Sequence, residues 1–161
     1  MGILAKKFGK VGYKGETGES FMYEVLQNEY EVSDYRKDLV MQTQGIDFGI
    51  KLPNWRREYT LDVKNNLYIE PSFYAFKIEL EDKGKPGWFF TSKADRIYHS
   101  NAYMGEYFYY ELTEMRHFVN KKLLANDYSS FTKVDYNADI LLQFRIFGPD
   151  HGLPISNLFK R

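Results

Sequence analysis

Two carboxylates and one lysine carry the most chemistry in this chain: Asp47 in the run GIDFGI, and Asp62 with Lys64 in LDVKN. A strand turns successive side chains to opposite faces, so Asp62 and Lys64 share one face of theirs. The short segment between the two runs makes them a hairpin in which Asp47 approaches Asp62. Paired carboxylates with open coordination positions suit Mg²⁺ or Mn²⁺, hard ions that take oxygen ligands and keep several waters. The carbonyl near Val63 is a further candidate ligand. A lysine two residues on can hold the attacking water or neutralise a phosphorane-like charge. Together these groups suit phosphodiester hydrolysis. Spacing alone is a weak signal: the chain has two acid-x-Lys triplets, about the number composition yields by chance. The second, Glu81-Asp82-Lys83, lies in a turn and reads as a solvated loop. The first lies in a β-branched segment, where burying charge is costly unless it is paired. The competing reading of that segment is an edge strand with one polar face.

The elements that must position these groups belong to a chain of 161 residues, long enough for one domain that buries roughly 68–70% of its unfolded surface. With no Cys, a disulfide scaffold, a thiolate zinc cluster and a cysteine nucleophile are excluded. No run approaches the ~18 apolar residues of a membrane span. The start, MGILAKKFGK, carries Lys6 where a myristoylation signal needs Ser or Thr, and its apolar stretch is too short for a secretory signal. The expectation is a cytosolic protein. With 22 Lys+Arg against 22 Asp+Glu, bulk charge does not favour coating nucleic acid, although local patches stay open. The 14 Tyr and 13 Phe fit a large sheet with an amphipathic skin.

Along the chain, residues 1–15 are rich in Gly and Lys and read as a mobile basic arm. Thr17 reads as the N-cap of a helix through Tyr30, with Phe21, Met22, Val25 and Leu26 on its apolar face. Glu31–Leu39 reads as irregular, Val40–Gln44 as extended and Ile46–Leu52 as a strand. Pro53-Asn54 starts a turn, and Tyr59–Lys64 is the most strand-like segment of the first half. Phe73–Leu80, Trp88–Thr91, Arg96–His99 and Glu106–Glu111 follow as extended pieces, with a helical turn at Ser92–Asp95. Thr113 reads as the cap of a helix to Leu124, presenting Met115, Phe118, Val119 and Leu123. The tail, residues 125–161, holds one apolar run, Ile140–Phe147, before GPDHGLP. The fold class is therefore α/β: one domain, with a mostly antiparallel or mixed central sheet flanked by helices.

The succession TGES in the first helix, GIDF on one strand and LDVKNN on the next resembles the PD-(D/E)XK nuclease superfamily. The resemblance spans residues 16 to about 120, and the small phage-encoded members are the most similar. It implies a restriction-endonuclease-like core in which a helix glutamate, a strand-end aspartate and the D/E-x-K triplet bind divalent metal and cut DNA. Ile46-Asp47 stands where the family has Pro-Asp, a departure that keeps the ligand. Glu19 would be the helix carboxylate, ahead of Glu16 and Glu24. The resemblance implies a catalytic core at 16–124 with a C-terminal extension at 125–161. Glu19, Asp47 and Asp62 would then hold Mg²⁺ or Mn²⁺, and Lys64 would position water to leave a 3′-hydroxyl and a 5′-phosphate. One site cuts one strand, so a homodimer is expected. The implied function is a site-specific homing endonuclease acting in a phage-infected host cell. The alternatives are a junction or repair nuclease and a non-catalytic nucleic-acid-binding module.

Around this site, Gln44 is a candidate for a phosphate or base contact, or a strand cap. Arg56 and Arg57, in the loop joining the two strands, could reach phosphates or be plain surface. Asn65 and Asn66 could bond DNA or end the strand, and Lys93 could reinforce the local positive potential or sit solvated at a helix start. His99, His117 and His151 show no metal-ligand spacing, His99 being the one worth testing. Arg116, Lys121 and Lys122, with the N-terminal lysines and Lys160-Arg161, outline a possible basic stripe.

Overall fold

The computed structural model describes residues 14–69, 73–136 and 139–147. Helix α1 (Lys14–Gln27) buries Phe21, Met22 and Leu26. Strand β1 (Val32–Asp34) is followed by a short helix α2 (Leu39–Thr43), then by β2 (Phe48–Ile50) and β3 (Tyr59–Lys64). An excursion of β4 (Tyr68–Ile69), β5 (Phe73–Asp82), β6 (Lys85–Pro86) and helix α3 (Trp88–Thr91) leads to β7 (Arg96–Asn101) and β8 (Glu106–Glu111). Helix α4 (Leu112–Leu124) and strands β9 (Phe131–Tyr136) and β10 (Asp139–Phe147) complete the order.

The strands form two sheets. A mixed sheet runs β1-β2-β3-β7-β8, antiparallel except that β3 pairs parallel with β7. A parallel pair needs a long crossover, and here the crossover is the whole excursion from β4 to α3. An antiparallel sheet runs β4-β5-β10-β9, with β6 on β5. Side-chain alternation divides the core in two. On one face of the mixed sheet, Phe48, Ile50, Tyr59, Leu61, Val63 and Tyr98 pack against Phe21, Met22 and Leu26 of α1. On the other, Ile97 and Tyr110 meet Phe76 and Ile78 of β5, Leu142 and Phe144 of β10, Phe89 of α3 and Met115 and Val119 of α4. The chain is α/β, with a mixed sheet flanked by helices, and the second sheet helps to cover one of its faces.

Several local expectations need correction. Lys14 and Gly15 begin α1 rather than ending an arm, so Thr17 lies inside the helix; residues 1–13 are outside the described part. Val32–Asp34 pairs with β2 instead of being irregular. Leu39–Thr43 is helical, not extended, because the Asp38 carboxylate accepts from the N–H groups of Val40 and Met41. Trp88–Thr91 is helical, while Ser92–Asp95 is not. Leu112 starts α4 with Glu111 at the N-cap, leaving Thr113 in its first turn. Phe73–Asp82 is a strand, but it belongs to the second sheet, where β10 of the tail pairs with it and β9 with β10. Among the described residues no helix is long and apolar enough to cross a membrane.

Candidate active site

The β2–β3 ladder ends at the pair Phe48–Leu61. Just beyond it, Asp47 keeps its backbone in place by donating to Leu61 O and accepting from Tyr35 N–H, both at 2.8 Å. Its side chain then takes the position of the next ladder acceptor: Oδ2 accepts from Val63 N–H at 2.8 Å. The strands separate here, and the opening brings Asp47 and Asp62 together. Both are buried, at 6% and 2% exposure. Period-two geometry places Lys64 beside Asp62, with Nζ 3.0 Å from Asp62 Oδ1. The ammonium also stands 5.0 Å from the centre of the Trp88 ring. Asp62 Oδ2 is a buried acceptor with no hydrogen-bond donor among the described residues.

Glu19 reaches the same region from the first half of α1. That helix approaches the end of β3 so closely that a Cβ on Gly18 would stand 2.2 Å from Asn65 Cβ; only glycine fits. Half-burial pushes the Glu19 carboxyl up to about 7; Asp47 and Asp62 add to the rise, and Arg36 and Lys64 oppose it. Burial likewise pushes Asp62 up to about 7, against the pull of Lys64 and with a further push from Asp47. Three carboxylates thus share one field with one lysine beside them. Among the described residues, no three His, Cys, Asp or Glu side chains are already grouped closely enough to hold a metal ion. The close pair is Asp47 with Asp62, and Mg²⁺ is commonly held through one or two carboxylates with water completing the shell. An orphaned buried carboxylate oxygen is what such an ion would satisfy, so the donor set fits.

Three contributors escaped the sequence reading. Gln42 Nε2 donates to Asp47 Oδ1 at 3.1 Å and to Ile46 O at 2.9 Å. Arg36 pairs with Asp34 at 2.7 Å and donates to Ser20 at 3.2 Å, tying α1 to β1 while its charge acts on Glu19. Trp88 supplies the aromatic face beside Lys64. The one available signal was Asp38 as an N-cap, which would have placed Gln42 on a helix leading into Asp47.

The other expected contacts lie elsewhere. Arg56 is exposed in the loop at the far end of the β2–β3 hairpin. Arg57, in the same loop, is bound to Asp95 through both terminal nitrogens at 2.7 and 2.6 Å. Strand geometry puts that end roughly 15 Å from Asp62. Gln44 and Lys93 are neighbours, Lys93 N–H donating to Gln44 O at 2.8 Å, with the Lys93 side chain exposed. Asn65 Oδ1 accepts from Ser100 Oγ at 3.1 Å and Ala102 N–H at 3.2 Å. Asn66 donates to Lys77 O at 2.9 Å, so its Oδ1 must accept from His99 Nδ1. His99 Nε2 then accepts from the Tyr110 hydroxyl at 2.9 Å. Burial, with Lys64 nearby, holds His99 well below the usual histidine range, so it is a neutral internal strut.

The basic stripe also thins. Arg116 donates to Phe89 O and Ser92 O at 2.7 and 2.6 Å, and Lys122 pairs with Asp127 at 2.6 Å. Lys121 and His117 are exposed, while His151, Lys160 and Arg161 fall outside the described residues.

Comparison of the chain with protein-family models, with curated proteins and with solved structures finds no match.

Proposed function

We propose that this chain is a metal-dependent DNA endonuclease whose site is Asp47, Asp62 and Lys64, with Glu19 joining from α1. The observation that carries the reading is the unpartnered Oδ2 of buried Asp62, set beside Asp47 and within reach of the Glu19 charge. A buried carboxylate oxygen with no donor is costly for the fold alone, and groups displaced this far in proton affinity cluster at functional sites. Antiparallel β2–β3, parallel β3–β7 and α1 on one face are compatible with a restriction-endonuclease-like core.

On this reading Asp47 and Asp62 would hold Mg²⁺ or Mn²⁺, with Glu19 as the third carboxylate of the site. When bound, such an ion supplies Lewis-acid stabilisation of the charge that develops on the phosphoryl group. Lys64, fixed between the Asp62 carboxylate and the Trp88 ring, orients the attacking water and stabilises the same charge from the protein side. Hydrolysis leaves a 3′-hydroxyl and a 5′-phosphate. Cutting both strands at one site needs a second copy of the chain, so the acting species is a homodimer.

The test is incubation of the purified protein with supercoiled plasmid, linear duplex and a synthetic four-way junction, each with Mg²⁺ and with EDTA. Cleavage of at least one substrate in Mg²⁺ and none in EDTA is expected. A sequence-specific enzyme cuts one duplex site, and a structure-specific one cuts junctions of any sequence. Binding without cleavage in either Mg²⁺ or Mn²⁺, or cleavage unaffected by EDTA, contradicts the proposal.

A further inference from the structure

We infer that Gln42 is a positioning residue that sets the orientation of the Asp47 carboxylate and thereby the selectivity of the site for a small, geometrically demanding divalent ion. The inference rests on the cation-binding reading given above. Three acceptors surround the Gln42 amide nitrogen: Asp47 Oδ1 at 3.1 Å, Ile46 O at 2.9 Å and Tyr35 O at 3.3 Å. None of the three can donate, so the amide must turn its NH₂ towards them, and the flip of the side chain is decided by chemistry.

The consequence for Asp47 follows from its second oxygen. Oδ2 is fixed by the Val63 backbone N–H at 2.8 Å. With Oδ1 held by Gln42, each oxygen has one donor, and the two donors come from different elements, α2 and β3. The carboxylate plane is therefore fixed about its last torsion, and each oxygen keeps lone-pair capacity for another partner. Without Gln42, the Val63 N–H is the one backbone or side-chain N–H donor left to Asp47 among the described residues, and a carboxylate held through one oxygen can rotate about it. Outer partners that orient a ligating carboxylate typically change metal affinity by about 10–100-fold.

The choice of ion separates orientation from mere stability. Mg²⁺ demands near-ideal octahedral geometry, whereas Ca²⁺ tolerates irregular and variable ligand arrangements. A loosened Asp47 should therefore weaken Mg²⁺ more than Ca²⁺, while a general loss of stability would weaken both alike. Gln42 is exposed to solvent even though it reaches a buried carboxylate, so its replacement leaves no cavity in the core.

The experiment is titration of wild type, Gln42→Ala and Gln42→Leu with Mg²⁺ and separately with Ca²⁺, read by thermal shift and by calorimetry, without DNA. Gln42→Leu keeps most of the side-chain volume and covers the case in which Gln42→Ala folds poorly. The expected result is a Mg²⁺ midpoint raised about 10–100-fold in both variants, with a smaller change for Ca²⁺. Unchanged Mg²⁺ midpoints, or equal losses for the two ions, overturn the role given to Gln42 and leave the cation site standing. Failure of wild type to bind Mg²⁺ or Mn²⁺ overturns the cation reading itself, and this inference with it.

Discussion

Lys64→Ala is expected to lower phosphodiester cleavage by about 10²–10⁴-fold, the range typical for loss of a positioned proton-handling or charge-stabilising group. The fold and the binding of DNA should persist, because the Lys64 side chain is 27% exposed and leaves no large void. The variant also has a signature that misfolding would not produce. Lys64 is the partner that lowers the proton affinity of Asp62, so its loss moves Asp62 further up. Residual cleavage, and Mg²⁺-induced stabilisation, should then require a more alkaline pH than in wild type. Full activity with an unshifted pH profile contradicts the role assigned to Lys64.

Asp62→Asn should produce an inactive but more heat-stable protein when no divalent ion is present. The sign follows from linkage. The Asp62 carboxyl is raised from 3.8 to about 7 on folding, mainly by burial. A group raised in the folded state contributes its full stability below its unfolded pKa and loses it as pH rises through the folded value. Wild type without divalent ions should therefore lose stability between about pH 4 and pH 8, and Glu19 contributes in the same direction. At one pKa unit per 1.36 kcal/mol, the Asp62 share is at most about 4 kcal/mol, or roughly 8–16 °C in Tm for a domain of this size. Asparagine removes the charge, keeps an acceptor for Lys64 and offers its NH₂ to Asp47. Melting curves of both proteins from pH 5 to pH 8.5 in EDTA check this. The gap, with the variant higher, should widen from pH 5 to about pH 7 and level off above pH 8, while Mg²⁺ raises the Tm of wild type only. A variant less stable than wild type at pH 8 contradicts the role given to the Asp62 charge.

The sequence made the β3 part of this site legible because its signals are local. Tyr59–Lys64 is β-branched and aromatic, and period-two alternation alone puts Asp62 and Lys64 on one face. Glu106–Glu111 was readable for the same reason. The misses share another cause: tertiary contacts overrode weak local patterns. Val40 and Met41 suggest extension, but the Asp38 cap starts a helix there. Three residues at Val32–Asp34 are too few for a periodic signal, and the ladder with β2 makes them a strand. The aromatic run after Gly87 looks like a strand, yet α3 forms where the chain must pass Glu79 so closely that a Cβ at Gly87 would stand 2.5 Å from a carbonyl oxygen.

Nothing local in the sequence distinguishes a polar side chain that faces solvent from one that bonds inside the protein. Asn65, Asn66, Arg57 and Arg116 all bond within the protein. For Gln42 the sequence offers only the Asp38 cap as a pointer, because its importance depends on where Asp47 points. Partition of the chain into two sheets, with β10 between β5 and β9, depends on pairings between distant segments that periodicity does not encode.

Anomalous diffraction from Mn²⁺-soaked crystals decides whether Asp47 and Asp62 grip one divalent ion beside Lys64. An anomalous peak is expected in contact with a carboxylate oxygen of both residues, the formerly unpartnered Oδ2 of Asp62 among them, and it should vanish in Asp62→Asn crystals. Mn²⁺ absent from this pair at saturating concentration, or bound only at other carboxylates, would contradict the shared ion site.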